Sequence, residues 1–171
     1  MVGLELDSWR IGTMDPIGRA NENDSLLLEG QELKKILGFI KKHKNDKKIK
    51  ITYGCPGFLG LSYEKEVRKN YFYCRTGISV ASILYNGDLY VCPNVPRIKE
   101  FVQGNIKIDN FKNIWDNGYK QFRKKDRTKC EECTKCKYWE YCLGGAFHTW
   151  DFERNKQNKC PYEIMYKRKE H

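Results

Sequence analysis

Four of the chain's eight cysteines fall between positions 130 and 142. They are Cys130, Cys133, Cys136 and Cys142, and Leu143-Gly144-Gly145-Ala146 follows. Two C-x2-C steps share Cys133, and a C-x5-C step comes next. Cysteines three apart turn their sulfurs toward one centre when the loop between them is tight. Short loops hold zinc or an iron–sulfur cluster in this way. Buried or disulfide-bonded cysteines are the competing role, but adjacent disulfides across such short loops are strained. A dithiol redox role for Cys133 and Cys136 is opposed by the cysteines on either side. The remaining cysteines are Cys55, Cys74, Cys92 and Cys160.

The elements that must position these thiols are partly legible. Residues 8–14 alternate loosely and read as a strand, broken by Pro16 and Gly18. Leu33, Ile36, Leu37 and Ile40 recur at i, i+3, i+4, i+7, so residues 31–42 form an amphipathic helix. Lys41, Lys42 and Lys44 crowd its C-terminal end, where cations suit the helix dipole. Residues 48–53 are a short β-branched strand. Strand, helix, strand fits a β/α unit from the edge of a larger α/β domain. Residues 55–73 read as irregular, with a helical turn near 63–68.

A different pattern opens at Cys74. Residues 78–85 read as a strand, Asn86-Gly87 as a two-residue hairpin turn, and Leu89-Tyr90-Val91 as the returning strand. The hairpin carries Cys92 back toward the start of the first strand, where it can lie near Cys74. Residues 103–106 read as a turn. Residues 111–123 read as a helix with an apolar stripe of Phe111, Ile114, Trp115 and Phe122, Trp115 serving core packing. The expected boundary gives two domains, 1–70 and 71–171, in an α+β fold.

With 171 residues and 40% apolar content, the chain can build only a modest core. Its net charge is +10 with 32% charged residues. The lysines are dispersed, and no Arg-rich helix or aromatic-interleaved motif accompanies them. That favours a solvated surface over nucleic-acid binding. No stretch approaches the ~20 apolar residues of a membrane span, and no signal peptide is visible. A cytoplasmic location is expected, and in a reducing compartment eight cysteines point to metal. Because the first residues already read as a strand inside a fold, the chain is expected to be part of a longer protein.

The full spacing is Cys74-x12-Gly87-x4-Cys92, a gap, Cys133-x2-Cys136-x5-Cys142, a gap, and Cys160. It resembles the SPASM domain, the C-terminal auxiliary-cluster domain of many radical SAM enzymes. The match covers residues 74–160, about half the chain. Gly104-Asn105-Ile106 and Phe111-Lys112-Asn113-Ile114-Trp115 agree with softer features of that family. Residues 9–11, 16–20 and 31–53 look like the last strands and helix of a radical SAM partial barrel. Gln103-Gly104-Asn105-Ile106 and His148-Thr149-Trp150 look most like peptide-modifying maturases.

The resemblance implies one [4Fe–4S] site at Cys133, Cys136, Cys142 and Cys160. A second would use Cys74, Cys92, the family cysteine that Ala146 replaces, and one more. Cys55 and Cys130 lie outside the pattern and could complete it, as could His148. Otherwise Cys55 is a core thiol and Cys130 a surface one. Zinc suits four thiolates equally well and is the alternative or substitute metal. The resemblance also implies a peptide or protein substrate and an auxiliary role for the clusters. The C-x3-C-x2-C loop that binds the S-adenosylmethionine cluster occurs nowhere in the chain. A radical SAM portion outside this sequence is therefore expected to do the catalysis, and this chain is expected to be inactive alone. No other catalytic set stands out: His43, His148 and His171 are far apart, and Cys55 has no visible local base. The function from another class is a zinc-stabilised basic module binding nucleic acid or protein.

Overall fold

The computed structural model describes residues 5–54, 56–124 and 128–166. Strand β1 (Ser8–Ile11) leads through two short 3-10 turns to helix α1 (Gly30–His43), strand β2 (Lys50–Tyr53) and helix α2 (Leu61–Val67). The hairpin strands are β3 (Ser82–Ile83) and β4 (Asp88–Tyr90), followed by β5 (Gly104–Asn105) and helix α3 (Phe111–Asn117). Two short helices carry the dense cysteine region, α4 (Glu131–Thr134) and α5 (Trp139–Cys142). Strands β6 (Trp150–Asp151) and β7 (Lys156–Gln157) and helix α6 (Pro161–Tyr166) complete the chain. Helices and small, mostly antiparallel sheets are segregated, so the fold is α+β. Among the described residues, no helix is long and apolar enough to cross a membrane.

Internal contacts divide the chain into two units. The first is Met1–Tyr73 with Asn158–His171, and the second is Cys74–Gln157.

In the first unit β1 and β2 pair in parallel, with Trp9 beside Ile51 and Ile11 beside Tyr53. Parallel neighbours need a crossover, and α1 supplies it. Its start is a capping box: the Glu29 side chain accepts from the N3 backbone, and Glu32 accepts the Glu29 N–H at 2.9 Å. Leu33, Leu37 and Ile40 face a core shared with Ile49, Ile51, Tyr53, Leu59, Val67 and Met165. Ile36, on the edge of the predicted stripe, is only half-buried. Helix α6 crosses the start of α1 so closely that a Cβ on Gly30 would sit 2.1 Å from the Ile164 carbonyl oxygen.

Residues 56–73 are more ordered than their composition suggests. Helix α2 occupies 61–67, and it presents Glu64, only 1% exposed. That carboxylate accepts the Leu59 N–H and the Phe72 N–H, each at 2.9 Å, and pairs with Arg68. Arg68 in turn donates to the Gly57 carbonyl at 3.0 Å and lies over the Tyr53 and Phe72 rings. A buried acid is tolerable only when its lone pairs are satisfied, and here the loop wraps around it to do so.

The second unit has a three-stranded antiparallel sheet in the order β3-β4-β5. Tyr85-Asn86-Gly87 makes the hairpin turn, with Gly87 at φ +96°. The first hairpin strand is shorter than predicted. Ile78, Ser79 and Val80 all donate to the Arg75 carbonyl, at 3.0 to 3.2 Å, and Gly77 at φ +70° donates to Val80. Only two residues are left for the ladder. Residues 104–105, read as part of a turn, pair with Leu89 and Asp88 as a third strand.

The predicted helix over 111–123 breaks at Gly118. Tyr119 takes a left-handed conformation (φ +56°), and a separate 3-10 turn runs Lys120–Arg123. Gln103 replaces the lost helical partner, its Oε1 accepting the Tyr119 N–H at 2.8 Å. The stripe therefore splits. Phe122 and Tyr119 are buried, Trp115 is half-buried under the Arg123 guanidinium, and Phe111 is 49% exposed.

Replacing Glu64 by Gln leaves Arg68 buried without its charge partner. Loss of one member of a buried pair costs about 3–5 kcal/mol. Glu64→Gln should destabilise the full chain by about that amount in urea unfolding, while Glu66→Gln, which breaks only the partly exposed ion pair with Lys41, should cost under about 1 kcal/mol.

Candidate metal centre

The dense cysteine region is built from backbone turns. Cys130 is the residue preceding α4, and its carbonyl accepts the Thr134 N–H at 3.0 Å. The Cys136 N–H then closes on the Cys133 carbonyl at 3.1 Å, which is the tight turn that C-x2-C sulfurs need. The Cys136 carbonyl accepts from Trp139, starting α5, and the Cys142 N–H donates to Tyr138 at 2.9 Å. Cys133, Cys136 and Cys142 are half-buried and Cys130 is 8% exposed, so Cys130 is not a surface thiol.

After Cys142 the chain reverses through three consecutive left-handed residues: Leu143 (φ +49°), Gly144 (φ +81°) and Gly145 (φ +77°). Glycine holds such angles without steric cost, whereas Leu143 does not. Two side chains hold the reversal. The Thr128 hydroxyl donates to the Leu143 carbonyl at 2.9 Å. Gln157 Nε2 donates to the Gly144 carbonyl and, at 3.0 Å, to the Ala146 carbonyl, while its Oε1 accepts from the Thr149 hydroxyl at 2.8 Å. Thr128 and Gln157 escaped the sequence reading. Their only signal is distance in sequence from the turn they hold, and periodicity does not report that.

The hairpin pair is more deeply set. Cys74 is 8% exposed and Cys92 is 9% exposed. The hairpin ladder ends at Ser82↔Tyr90, two residues short of Cys92. Val80 bridges to Thr76, and the Cys74 thiol donates to the Thr76 hydroxyl at 3.4 Å. The Phe147 N–H donates to Cys74 Sγ at 3.4 Å. The backbone at Ala146-Phe147 thus lies against Cys74, although the two are more than seventy positions apart.

Phe147 packs with Phe101, Phe122 and Phe152, with ring centres 5.0 to 5.6 Å apart. Tyr119 stands beside this cluster, fully buried, its hydroxyl meeting the Tyr90 carbonyl at 3.4 Å. Burial pushes the Tyr119 phenol above its ordinary 10.0, and the Arg123 guanidinium partly offsets the rise.

The other predicted residues are dispersed. Cys160 belongs to the first unit, half-buried, with its carbonyl accepting the Ile164 N–H at the start of α6. Its neighbour Lys159 is anchored to Asp15 at 2.6 Å and to the Thr13 hydroxyl at 3.0 Å. Cys55 lies outside the described residues. His148 is half-buried, one residue beyond Phe147. Among the described residues there is no disulfide, and no three side chains from His, Cys, Asp and Glu are grouped closely enough to hold one ion.

Two measurements follow from this geometry. A Cβ on Gly144 would sit 2.1 Å from the Thr128 carbonyl oxygen, at a φ that disfavours any side chain. Gly144→Ala should therefore cost at least about 2 kcal/mol, read from denaturant midpoints. The raised Tyr119 value means the native state holds that proton more tightly than the unfolded chain does. Its contribution is complete below pH 10.0 and disappears as pH climbs through the raised native value. Tyr119→Phe should make the alkaline decline in stability shallower.

The SPASM model, an iron–sulfur cluster-binding domain, matches residues 74–137. No curated protein sequence matches the chain. Among solved structures, native anSMEcpe with bound AdoMet and Kp18Cys peptide is similar at a TM-score of 0.50 and 19% identity, over 90% of this chain and 44% of that one. Native anSMEcpe with bound AdoMet and Cp18Cys peptide gives 0.49 at 20% identity with the same coverage. At such identity the first likeness is one of fold, and this chain spans less than half the length of the structure it matches. The loop and the hairpin thus fall within or beside a segment, residues 74–137, that is similar to the SPASM iron–sulfur cluster-binding domain.

Proposed function

We propose that this chain is the C-terminal region of a radical SAM/SPASM enzyme that modifies a peptide or protein, and that Cys133, Cys136, Cys142 and Cys160 bind a [4Fe–4S] cluster. The observation that carries the reading is the backbone of the 133–145 segment. Tight turns at Cys133–Cys136 and at Leu143–Gly145 set three thiol-bearing residues on one short loop, and the family match covers the first two. Half-exposed thiols on such a loop suit ligation, since a thiolate must lose its proton and meet a metal without being sealed in a core. Cys160 enters as the fourth ligand through the family pattern. The bound cluster would supply electron transfer or a docking point for substrate. The chain's own residues hold the loop in shape: Thr128 and Gln157 lock the reversal after Cys142.

S-adenosylmethionine cleavage would fall to a radical SAM portion beyond this chain. None of the eight cysteines stands in C-x3-C-x2-C spacing, and the chain matches 44% of the length of anSMEcpe. A peptide substrate is supported by the peptide bound in that structure. Thiolate ligands of this kind operate in a reducing compartment such as the cytoplasm.

The test is metal analysis of the full chain after anaerobic reconstitution. The expected product is brown, with at least about four irons and four sulfides per chain. Cys142→Ala should lose most of that iron and lower thermal stability with it. A colourless protein holding one tightly bound zinc would replace the cluster with a structural metal site.

A further inference from the structure

Lys159 immediately precedes Cys160, and its charged end is drawn away from solvent. We propose that Lys159 is a positioning residue for Cys160: its ammonium, held by Thr13, Met14 and Asp15, fixes the stretch of chain that presents the fourth cluster thiolate. The inference rests on the reading above, in which Cys160 completes the ligand set of the loop cysteines.

A lysine ammonium has three N–H donors, and here three oxygens take them. Lys159 Nζ donates to the Thr13 hydroxyl at 3.0 Å, to the Met14 carbonyl at 2.6 Å and to the Asp15 carboxylate at 2.6 Å. All three acceptors lie on the loop that leaves the carboxyl end of β1. The Lys159 side chain is 10% exposed and that of Asp15 19%. Lys41, Lys112 and Lys135 also form ion pairs, but each stays more than half exposed, where such a pair contributes little. Taking an ammonium out of water is costly unless its donors are met, and removing one partner leaves the other charge uncompensated. Lys159 is therefore held in one geometry, which a solvated lysine does not need.

Packing already fixes the chain after Cys160. Pro161 and Met165 are buried, and the Cys160 carbonyl accepts the Ile164 N–H at 3.0 Å. Gly57 meets the Pro161 ring so closely that a Cβ there would lie 2.6 Å from its Cγ. Pro161 also biases Cys160 toward extended backbone. The chain before Cys160 has no such support from secondary structure. Residues 158–160 belong to no strand or helix, and Asn158 is exposed. There the Lys159 side chain supplies the restraint. With the backbone held on both sides, the half-buried thiol is set in place by the protein itself. Groups that orient a metal ligand from behind in this way raise the affinity of the site without touching the metal.

The experiment counts iron in the anaerobically reconstituted full chain and records EPR spectra of the oxidised protein. Lys159→Met keeps the aliphatic stem and removes the ammonium. It should reproduce Cys160→Ala: one iron fewer per cluster, about three in place of about four, with the EPR signal of an oxidised three-iron cluster. Asp15→Asn keeps an acceptor oxygen and loses the charge, so it should give a mixture of the two forms. It also decides the matter if Lys159→Met does not fold. Ile40→Ala weakens the core at the end of α1 far from α6 and should keep the wild-type spectrum. A wild-type count and spectrum in Lys159→Met, or in Asp15→Asn if the first variant does not fold, overturns the proposal. So does equal iron loss from Ile40→Ala and Lys159→Met with no three-iron signal, which reports stability alone. Wild-type iron near zero, or a Cys160→Ala variant identical to wild type, defeats the underlying reading and the proposal with it. A three-iron Cys160→Ala beside an unchanged Lys159→Met defeats the positioning role alone.

Discussion

The sharpest backbone constraint in the second unit falls on Leu143, Gly144 and Gly145, directly after the dense cysteine loop. Three left-handed residues in a row are unfavourable for an L-amino-acid chain, most of all at Leu143. The surrounding structure over-determines them. Thr128 grips the first carbonyl, Gln157 the second and that of Ala146 just after the turn, and Gly144 packs so closely on Thr128 that no side chain could replace its hydrogen. Through Gln157 the reversal is tied to the β6–β7 hairpin, and through Ala146-Phe147 to Cys74. One strained turn thereby organises both cysteine groups of the second unit.

The two units are stabilised by different physics. The first buries aliphatic side chains from α1, β2 and α6, with one charged pair that orders the 57–72 loop. The second has few aliphatics. Its interior is aromatic, Phe101, Phe122, Phe147 and Phe152 in edge-on or tilted contact, with Tyr90 and Tyr119 alongside. Polar pins supplement it: Gln103 on Tyr119, Asp109 on Asn105 at 2.7 Å, and Asn105 on Asp88 at 2.9 Å. A small region with so thin a core gains much from a bound metal, because ligation restricts the unfolded chain and adds binding free energy to folding.

At Ala146 the architecture around Cys74 closes without a thiol. The backbone still closes on Cys74, and the hydrogen bonds around it are complete. The fold does not depend on a thiolate at that position, since Phe147 and its ring partners supply the packing.

Local chemistry made part of this protein legible. The C-x2-C and C-x5-C steps, the Asn86-Gly87 turn and the period of α1 each depend on neighbours within a few residues, so composition and spacing report them. The same holds for the SPASM resemblance, which is a pattern of spacings. Other features needed the tertiary structure. The helix over 111–123 breaks at Gly118, and Gln103, sixteen residues before Tyr119, offers that residue another acceptor. Gly104-Asn105 becomes a strand only because β4 lies beside it. The burial of Cys130, the clamp of Gln157 and the meeting of Phe147 with Cys74 are likewise long-range outcomes. Spacing along the chain named the thiols; which of them share a neighbourhood was decided by contacts between distant segments, whose partners no local propensity encodes.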